Sequence, residues 1–349
     1  MSEIMAETLG IYTRYGRLGA SSRLRYFNYR DAFESAGFAP VFKPFFSDAY
    51  LRRLYAGKGK SRLLGAAALL RRLGAATHLP DKLLIEYELL PELSYEIESR
   101  FLRNRHYVLN FDDDVWLKYG NRKKLSDKFN QLISRASGVI CANDMLLERV
   151  QKLHSNAIKI PTAINLDSYP TKVAKFPTFT IAWIGTPVTY RYLELHADAL
   201  RAMSNAVDFE LLIIATSKLA KSAIPGVRMR FADWSESQEG ELLARCHVGI
   251  MPLPTNDAFA AGKSAFKLIQ YLAAGLPAIA SPVGENLRVL RPGETGFFAE
   301  TAQAWADCLI RLYNDNTREQ FSVAARSLAY EYSTQKYATI YAQFLKNSL

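Results

Sequence analysis

The feature that most constrains this chain is an alternation. From Ser126 to Ile164 it reads SDKFNQLISRASGVICANDMLLERVQKLHSNAIKIPTAI, in which helical spacing, a short apolar run, helical spacing and a second apolar run succeed one another over brief connections. Strands separated by helices pair in parallel with the helices as crossovers, so the stretch predicts a doubly wound α/β sheet. Around residues 169–177 the pattern stops, interrupted by Pro170, Lys172, Lys175 and Pro177. It then restarts with FTIAWIG as a strand, TYRYLELHADALRAM as a helix, FELLIIA and VRMRF as strands, a short helix at 239–244 and the strand VGIMPL. A break and a restart predict two sheets. With 349 residues, 49% of them hydrophobic, there is material for two cores. The expected division is 1–170, 171–332 and a closing helix over 333–349, whose apolar positions Tyr337, Ile340, Tyr341 and Phe344 make a packing stripe.

Earlier in the chain LGIYTRY (9–15), PVFKPFF (40–46), KLLIEYELL (82–90) and HYVLNFDDDVW (106–116) read as strands. Ligands of parallel sheets bind at the carboxyl ends of strands, which directs attention to the residues just beyond each one. After the first comes a glycine-containing loop and a helix that Ser21 or Ser22 can cap. Gly19, Ser22, Arg23 and Arg25 are therefore candidates to meet a ligand, against a plain reading as a capped helix with solvated arginines. After the fourth come Asp112, Asp113 and Asp114. They could hold a divalent cation or only cap a helix. In the second half, Gly185 and Thr186 end a strand where backbone can approach phosphate or sugar.

The stretch AGKSAFKLIQYLAAGLPAIASP (261–282) carries the most chemistry. Polar residues lead from VGIMPL through Gly262 into an apolar pattern at Phe266, Ile269, Leu272 and Ala273, so a strand feeds a loop that opens a helix. A helix N-terminus presents unpaired N–H groups and a positive dipole end, and Lys263 and Lys267 beside it predict a diphosphate site. Gln270 lies one turn beyond Lys267 on the same face. Gly275-Leu276-Pro277 ends the helix, and AIAS is the next strand.

These residues resemble the donor-binding motif of glycosyltransferase family 4, and in particular a branch that reads GK, three residues, K, two residues, QY. IAWIGTPVTYRYL (181–193), IPTAINLDSY (160–169) and GETGFFAETAQAWADCL (293–309) extend the resemblance over most of residues 135–335. The resemblance implies two facing Rossmann-like domains, the GT-B fold, with a final helix crossing back to the first domain. It implies retaining transfer of a sugar from a nucleotide-diphospho-sugar to a hydroxyl of a glycan or lipid-linked acceptor. Lys267, Lys263 and Asp113 are then the catalytic candidates. Gly185, Thr186, Trp234, Gly262, Ser264, Phe266 and Gln270 would bind donor, with Trp234 near the nucleotide base. Gly19, Ser22, Arg23, Arg25 and Asp114 would bind acceptor. The chain departs from the commoner family pattern of two glutamates seven residues apart: Gly262 and Gln270 stand there. A sugar-nucleotide epimerase and a catalytically idle sugar-nucleotide-binding homologue are the alternatives. No cofactor and no metal beyond the nucleotide-sugar co-substrate is expected.

Charge and composition narrow the rest. Residues 1–170 hold 26 Lys and Arg against 18 Asp and Glu, and residues 171–349 hold 18 against 16, so +8 of the net +10 lies in the first half. From Ala49 to Pro80 there is no acid, while Arg52, Arg53, Lys58, Lys60, Arg62, Arg71 and Arg72 sit among leucines and alanines. This reads as two basic amphipathic helices broken near Gly57–Gly59, suited to an anionic membrane surface or else an ordinary solvated face. No nucleic-acid module is recognisable. Neither a signal peptide nor a span of 18 apolar residues is evident, and Cys141, Cys246 and Cys308 lack metal spacing, so a cytoplasmic protein, peripheral on the inner membrane face, is expected. Gly262-Lys263-Ser264 is not a phosphate-binding loop of the NTPase kind, because Asp257 occupies the position of its first glycine.

Overall fold

The structure is a computed structural model and describes residues 6–120, 122–215, 223–255 and 264–349. The chain divides into two compact units, Met1–Ala163 with Thr334–Leu349, and Ile164–Ser333.

The first unit is built on six parallel strands, β1 (Glu7–Tyr12), β2 (Phe38–Phe42), β3 (Lys82–Glu86), β4 (His106–Phe111), β5 (Gly138–Cys141) and β6 (Ala157–Lys159), in the order β2-β1-β3-β4-β5-β6. Successive side chains leave a strand on opposite faces, so each strand serves two cores. Leu83 and Ile85 join Leu109, Phe129 and Leu132 on one face, while Leu84 joins Ile11, Val108, Phe33 and Tyr341 on the other. Strand order reverses between β1 and β3, which makes their carboxyl ends the crevice of this sheet.

Tyr341 comes from the C-terminal helix Thr334–Ser348, which therefore packs on the first unit. Its hydroxyl accepts from Asn110 Nδ2 at 2.7 Å, and its ring meets Tyr29 and Phe33 edge-on. A Cβ on Gly138 would stand 2.8 Å from the Phe344 ring, so the strand residue must be glycine for the helix to lie there. Ile340, expected in the packing stripe, is 38% exposed, and Leu345 is buried instead. The buried stripe is Thr334, Tyr341, Ala342 and Leu345, which turns Ile340 outward. The first unit ends at Ala163, before the expected 170, because Ile164 N–H bonds Tyr332 O at 2.9 Å and Tyr169 OH bonds Glu239, both in the second unit.

The second unit repeats the plan with β7 (Thr180–Ile184), β8 (Glu210–Ala215), β9 (Met229–Asp233), β10 (Val248–Met251), β11 (Ala278–Ala280) and β12 (Gly296–Phe298), all parallel in the order β12-β11-β10-β7-β8-β9. Here the order reverses between β7 and β10. The single helix expected after β7 is two, Pro187–Leu195 and Ala197–Ala206, parted at His196, whose Nδ1 pairs with Tyr192 O. The three cysteines are buried and free, and burial pushes the thiols of Cys141 and Cys246 up to about 12.

The acid-free segment forms helices Asp48–Tyr55 and Arg62–Ala76, with the break where the glycines stand. The second helix packs through Ala68, Arg72 and Ala76 and leaves Leu63 84% and Leu70 70% exposed. Arg72 is no surface cation. Its guanidinium donates to Thr13 O and Lys43 O at 3.0 and 2.7 Å and lies over the Tyr12 ring, and burial pulls its pKa down to about 10. Among the described residues no helix is long and apolar enough to cross a membrane.

Candidate active site

In the second unit the crevice lies at the ends of β7 and β10. Gly185 follows β7, and a Cβ there would come within 2.5 Å of the Trp183 ring and 2.8 Å of Thr189 Oγ1. Only glycine fits beneath that indole. Thr186 then caps the helix Pro187–Leu195: its N–H donates to Thr189 Oγ1 at 3.1 Å, and Pro187 starts the helix without needing an amide partner. Thr186 is thus held in the cap and positions the helix, rather than offering this amide to a ligand as the sequence led us to expect.

The helix of the lysine motif runs Phe266–Ala273. Its stop follows the sequence closely: Gly275 at φ 65° donates to Leu272 O and Leu276 to Tyr271 O, a Schellman closure followed by Pro277. Its start does not. Ala265 caps it in the left-handed conformation, φ 51°, while 1% exposed, a geometry that costs about 1 kcal/mol or more outside glycine. Lys267 occupies the first turn, where no acid stands and where the dipole opposes a cation. Its ammonium lies 5.5 Å from the Trp183 ring centroid. The indole thereby brings Lys267 and Gly185 to one place.

Gln270 is 5% exposed, and among the described residues its amide has no hydrogen-bond partner. Phe266 packs partly buried against the core, and Ser264 is half-buried. Tyr271 lies flat on Gly249 and donates to Ile250 O at 2.9 Å, so it is a core residue that fixes the helix to β10. Gly262 and Lys263 lie outside the described residues. Trp234 is tied down: its indole donates to Glu239 Oε2 at 2.5 Å, and Tyr169 OH holds the other oxygen at 2.5 Å. That carboxylate clamp uses the indole edge expected beside a base.

In the first unit the ends of β1, β3 and β4 bring together groups of which the sequence marked only some. Glu86 accepts from Arg14 N (2.7 Å), Ser22 Oγ (2.6 Å) and Ser21 Oγ (3.1 Å). Burial pushes its carboxyl up, held back by the Ser22 and Arg14 bonds. The next residue, Tyr87, adopts φ 62° and donates its hydroxyl to Asp112 Oδ1. Asp112 keeps some exposed surface, yet its carboxyl is enclosed and lies well above the usual range, through burial first and the Asp113 charge second. Asp113 is exposed. Asp114 accepts from Trp116 N at 3.1 Å and pairs with Arg149 at 3.3 Å, so it caps the following helix instead of facing outward.

Three other expectations change. Ser22 is fully buried against Glu86, and the helix it was to cap begins after Gly19 with no side-chain cap. Arg25 is 2% exposed and spans the core, Nε and Nη2 to Asn110 Oδ1 (2.8 and 2.5 Å) and Nη1 to Ile160 O (3.0 Å). Arg23 is 4% exposed and donates to Arg17 O. Gly19 is needed because a Cβ would meet Tyr15 Cβ at 2.4 Å. These residues build the loop after β1 and the helix that follows it, and Glu86 at the end of β3 holds that loop through Arg14 N and Ser22.

Sequence reasoning passed over Glu86 and Glu88. Acids in a run otherwise as apolar as KLLIEYELL were the available signal, since burying a carboxylate is costly without a partner. Glu88 and Glu98 share the buried Lys128, at 3.0 and 2.7 Å. Burial alone would lower that ammonium's pKa, and the two carboxylates outweigh it. Glu98 also accepts from Leu89 N and Leu90 N, so the cluster anchors the loop that carries Tyr87. Among the described residues no group of three His, Cys, Asp or Glu is arranged to hold a metal.

Residues 178–315 match the family model described as glycosyl transferases group 1. The match covers less than half of the chain and lies within the second unit. No curated protein matches by sequence. Among solved structures, Anabaena HepE in complex with UDP-glucose superposes with a TM-score of 0.70 at 13% identity, covering 98% of this chain and 100% of that one. Sucrose-phosphate synthase from Thermosynechococcus elongatus gives 0.67 at 12%, covering 97% and 98%. The pneumococcal O-GlcNAc transferase GtfA in complex with UDP and GlcNAc gives 0.59 at 14%, covering 81% of this chain; the chain spans 60% of that protein's length, and 55% of that of S. aureus TarM. These likenesses show the fold: two Rossmann-like domains, as in the GT-B glycosyltransferases. The crevice between β7 and β10 belongs to the unit that the family model matches.

Proposed function

We propose that this protein is a glycosyltransferase of the family 4 kind, moving a sugar from a nucleoside-diphosphate sugar to a hydroxyl with retention of configuration. The observation that carries the reading is Lys267. It sits in the first turn of a helix with a strained cap, at the edge of the sheet crevice, in a unit that matches the glycosyl transferases group 1 model. The positive end of a helix dipole with an ammonium beside it attracts an anion. A diphosphate supplies that anion. As the glycosidic bond breaks, negative charge gathers on the leaving phosphate, and a preplaced ammonium and helix N–H groups lower the barrier. The leaving phosphate oxygen takes the acceptor proton, so no protein base is required. The Gln270 amide is assigned to the ribose hydroxyls, which it can meet as both donor and acceptor. Lys263 and Gly262 are proposed to continue the same phosphate site.

The acceptor is proposed to bind at the β1, β3 and β4 ends of the first unit, where Asp113 stands exposed beside the Tyr87–Asp112 pair. Its class is proposed as a glycan or lipid-linked glycan, as in cell-surface polysaccharide or glycolipid synthesis. Exposed Leu63 and Leu70 beside Lys58, Lys60 and Arg62 support docking on an anionic membrane surface, with leucines entering the interface and cations meeting headgroups.

The test is incubation with a panel of sugar nucleotides, UDP-sugars first, with and without lipid-linked acceptors. Acceptor-dependent release of nucleoside diphosphate is the expected result. Conversion of the donor alone would establish an epimerase, and binding without turnover an idle homologue.

A further inference from the structure

We propose a second, anion-binding site in the first unit, in a cleft of about 730 Å³ lined by the helices Tyr95–Leu102 and Lys123–Arg135 and the start of β4. Its floor is apolar, made of Leu102, Tyr107 and Leu132, all buried. Above the floor Arg100 comes from one helix, Arg103 from its C-cap and Arg135 from the other helix, with Arg105 at the end; Glu96, one turn before Arg100, is the single carboxylate among the lining residues. Arg105 is matched by Asp81. Arg100, Arg103 and Arg135 have no carboxylate partner among the described residues. Some arginines elsewhere are matched by a carboxylate, Arg30 by Glu34, Arg122 by Glu92 and Arg201 by Asp198.

Arg100 and Arg103, three apart on one helix, repel each other. The helix C-termini nearby offset part of that cost, which accounts for a cation in each last turn but not for three gathered round one cleft. Guanidinium forks match phosphate and carboxylate oxygens in bidentate pairs. Tyr95 adds a half-exposed ring, and the volume is that of a small-molecule site. The chemistry fitted is a ligand with two or more phosphate or carboxylate groups on a sugar-sized body. Because the cleft opens at the amino end of β4, the length of a six-residue strand, roughly 20 Å, separates it from the Asp112 edge. It is therefore distinct from the proposed acceptor position and does not rest on the glycosyltransferase reading.

Calorimetric titration of the full chain with inorganic pyrophosphate and with trigalacturonic acid, at low and high salt, tests the site. Salt-sensitive binding of either probe is expected, weakened at least tenfold in Arg100→Gln/Arg103→Gln/Arg135→Gln. Preference for pyrophosphate assigns a phosphorylated small molecule, and preference for the trisaccharide an acidic glycan. The single variant Gln131→Glu, which adds a carboxylate to the same wall, must weaken binding too and serves if the triple variant does not fold. Failure of both probes to bind, or equal binding by the wild type and the variants, overturns the proposal. UDP binding, measured in parallel, belongs to the other site: its loss in the wild type would count against the glycosyltransferase reading and leave this one standing.

Discussion

The ammonium of Lys267 rests 5.5 Å from the centre of the Trp183 ring, and that ring closes over Gly185. One indole thus fixes a helix-born cation beside the backbone at the end of β7. Lys267→Ala is expected to lower donor turnover more than about tenfold, as removal of a charge-stabilising donor commonly does, with circular dichroism unchanged. Ordinary kinetics in a folded variant would remove Lys267 from the mechanism.

Activity is expected to survive EDTA. Asp114 is engaged by Trp116 N and Arg149, and Asp112 by Tyr87, which leaves the aspartate run without a shared face for a cation. Loss of activity in chelator with recovery on adding manganese would return those residues to a metal role.

Arg25 is predicted to matter for stability and Asp113 for turnover. Removing the Arg25 guanidinium leaves Asn110 and Ile160 O unsatisfied in the core, and Arg25→Ala is expected to cost about 3 kcal/mol in urea unfolding. Asp113→Asn should leave the unfolding midpoint unchanged and raise the KM for acceptor. The reverse pattern would restore Arg25 as a ligand residue.

His247 sets a pH dependence in the second unit. Its Nδ1 accepts from Thr180 N at 3.0 Å, and burial, with Arg318 and Lys175 adding, depresses its pKa from 6.5 to about 4. Between those values the unfolded chain binds the extra proton, so stability is lost as pH falls from 6.5 toward 4. Screening at this partly exposed site limits the loss to about 1 kcal/mol. His247→Asn, which keeps an acceptor without the titration, should flatten that slope in melts across the window.

Membrane docking is checked by vesicle co-sedimentation. Each cation near an anionic surface contributes about 1 kcal/mol, so Arg52→Gln/Arg53→Gln/Lys58→Gln/Arg62→Gln should lose most binding to anionic vesicles, and Leu63→Ser/Leu70→Ser should make the remainder fully salt-reversible. Equal sedimentation of all three proteins would end the membrane reading. Arg72 is left in place because it holds Thr13 O and Lys43 O.

The sequence by itself determined the two parallel sheets and the helix stop at Gly275-Leu276-Pro277. These are local matters of periodicity, turn residues and apolar spacing, and each is carried by a few consecutive residues. Only the tertiary structure decided which polar groups are spent on the fold. Arg25, Ser22, Arg72 and Asp114 look like ligand residues when read along the chain, yet each has a partner from 17 to 137 positions away, and Asp114 also holds the backbone N–H of Trp116. The converse holds for Glu86 and Tyr87, which read as strand interior and stand at the sheet edge because β3 ends at Glu86. Burial and charge pairing depend on residues far apart in the chain, and a one-dimensional pattern carries no record of them.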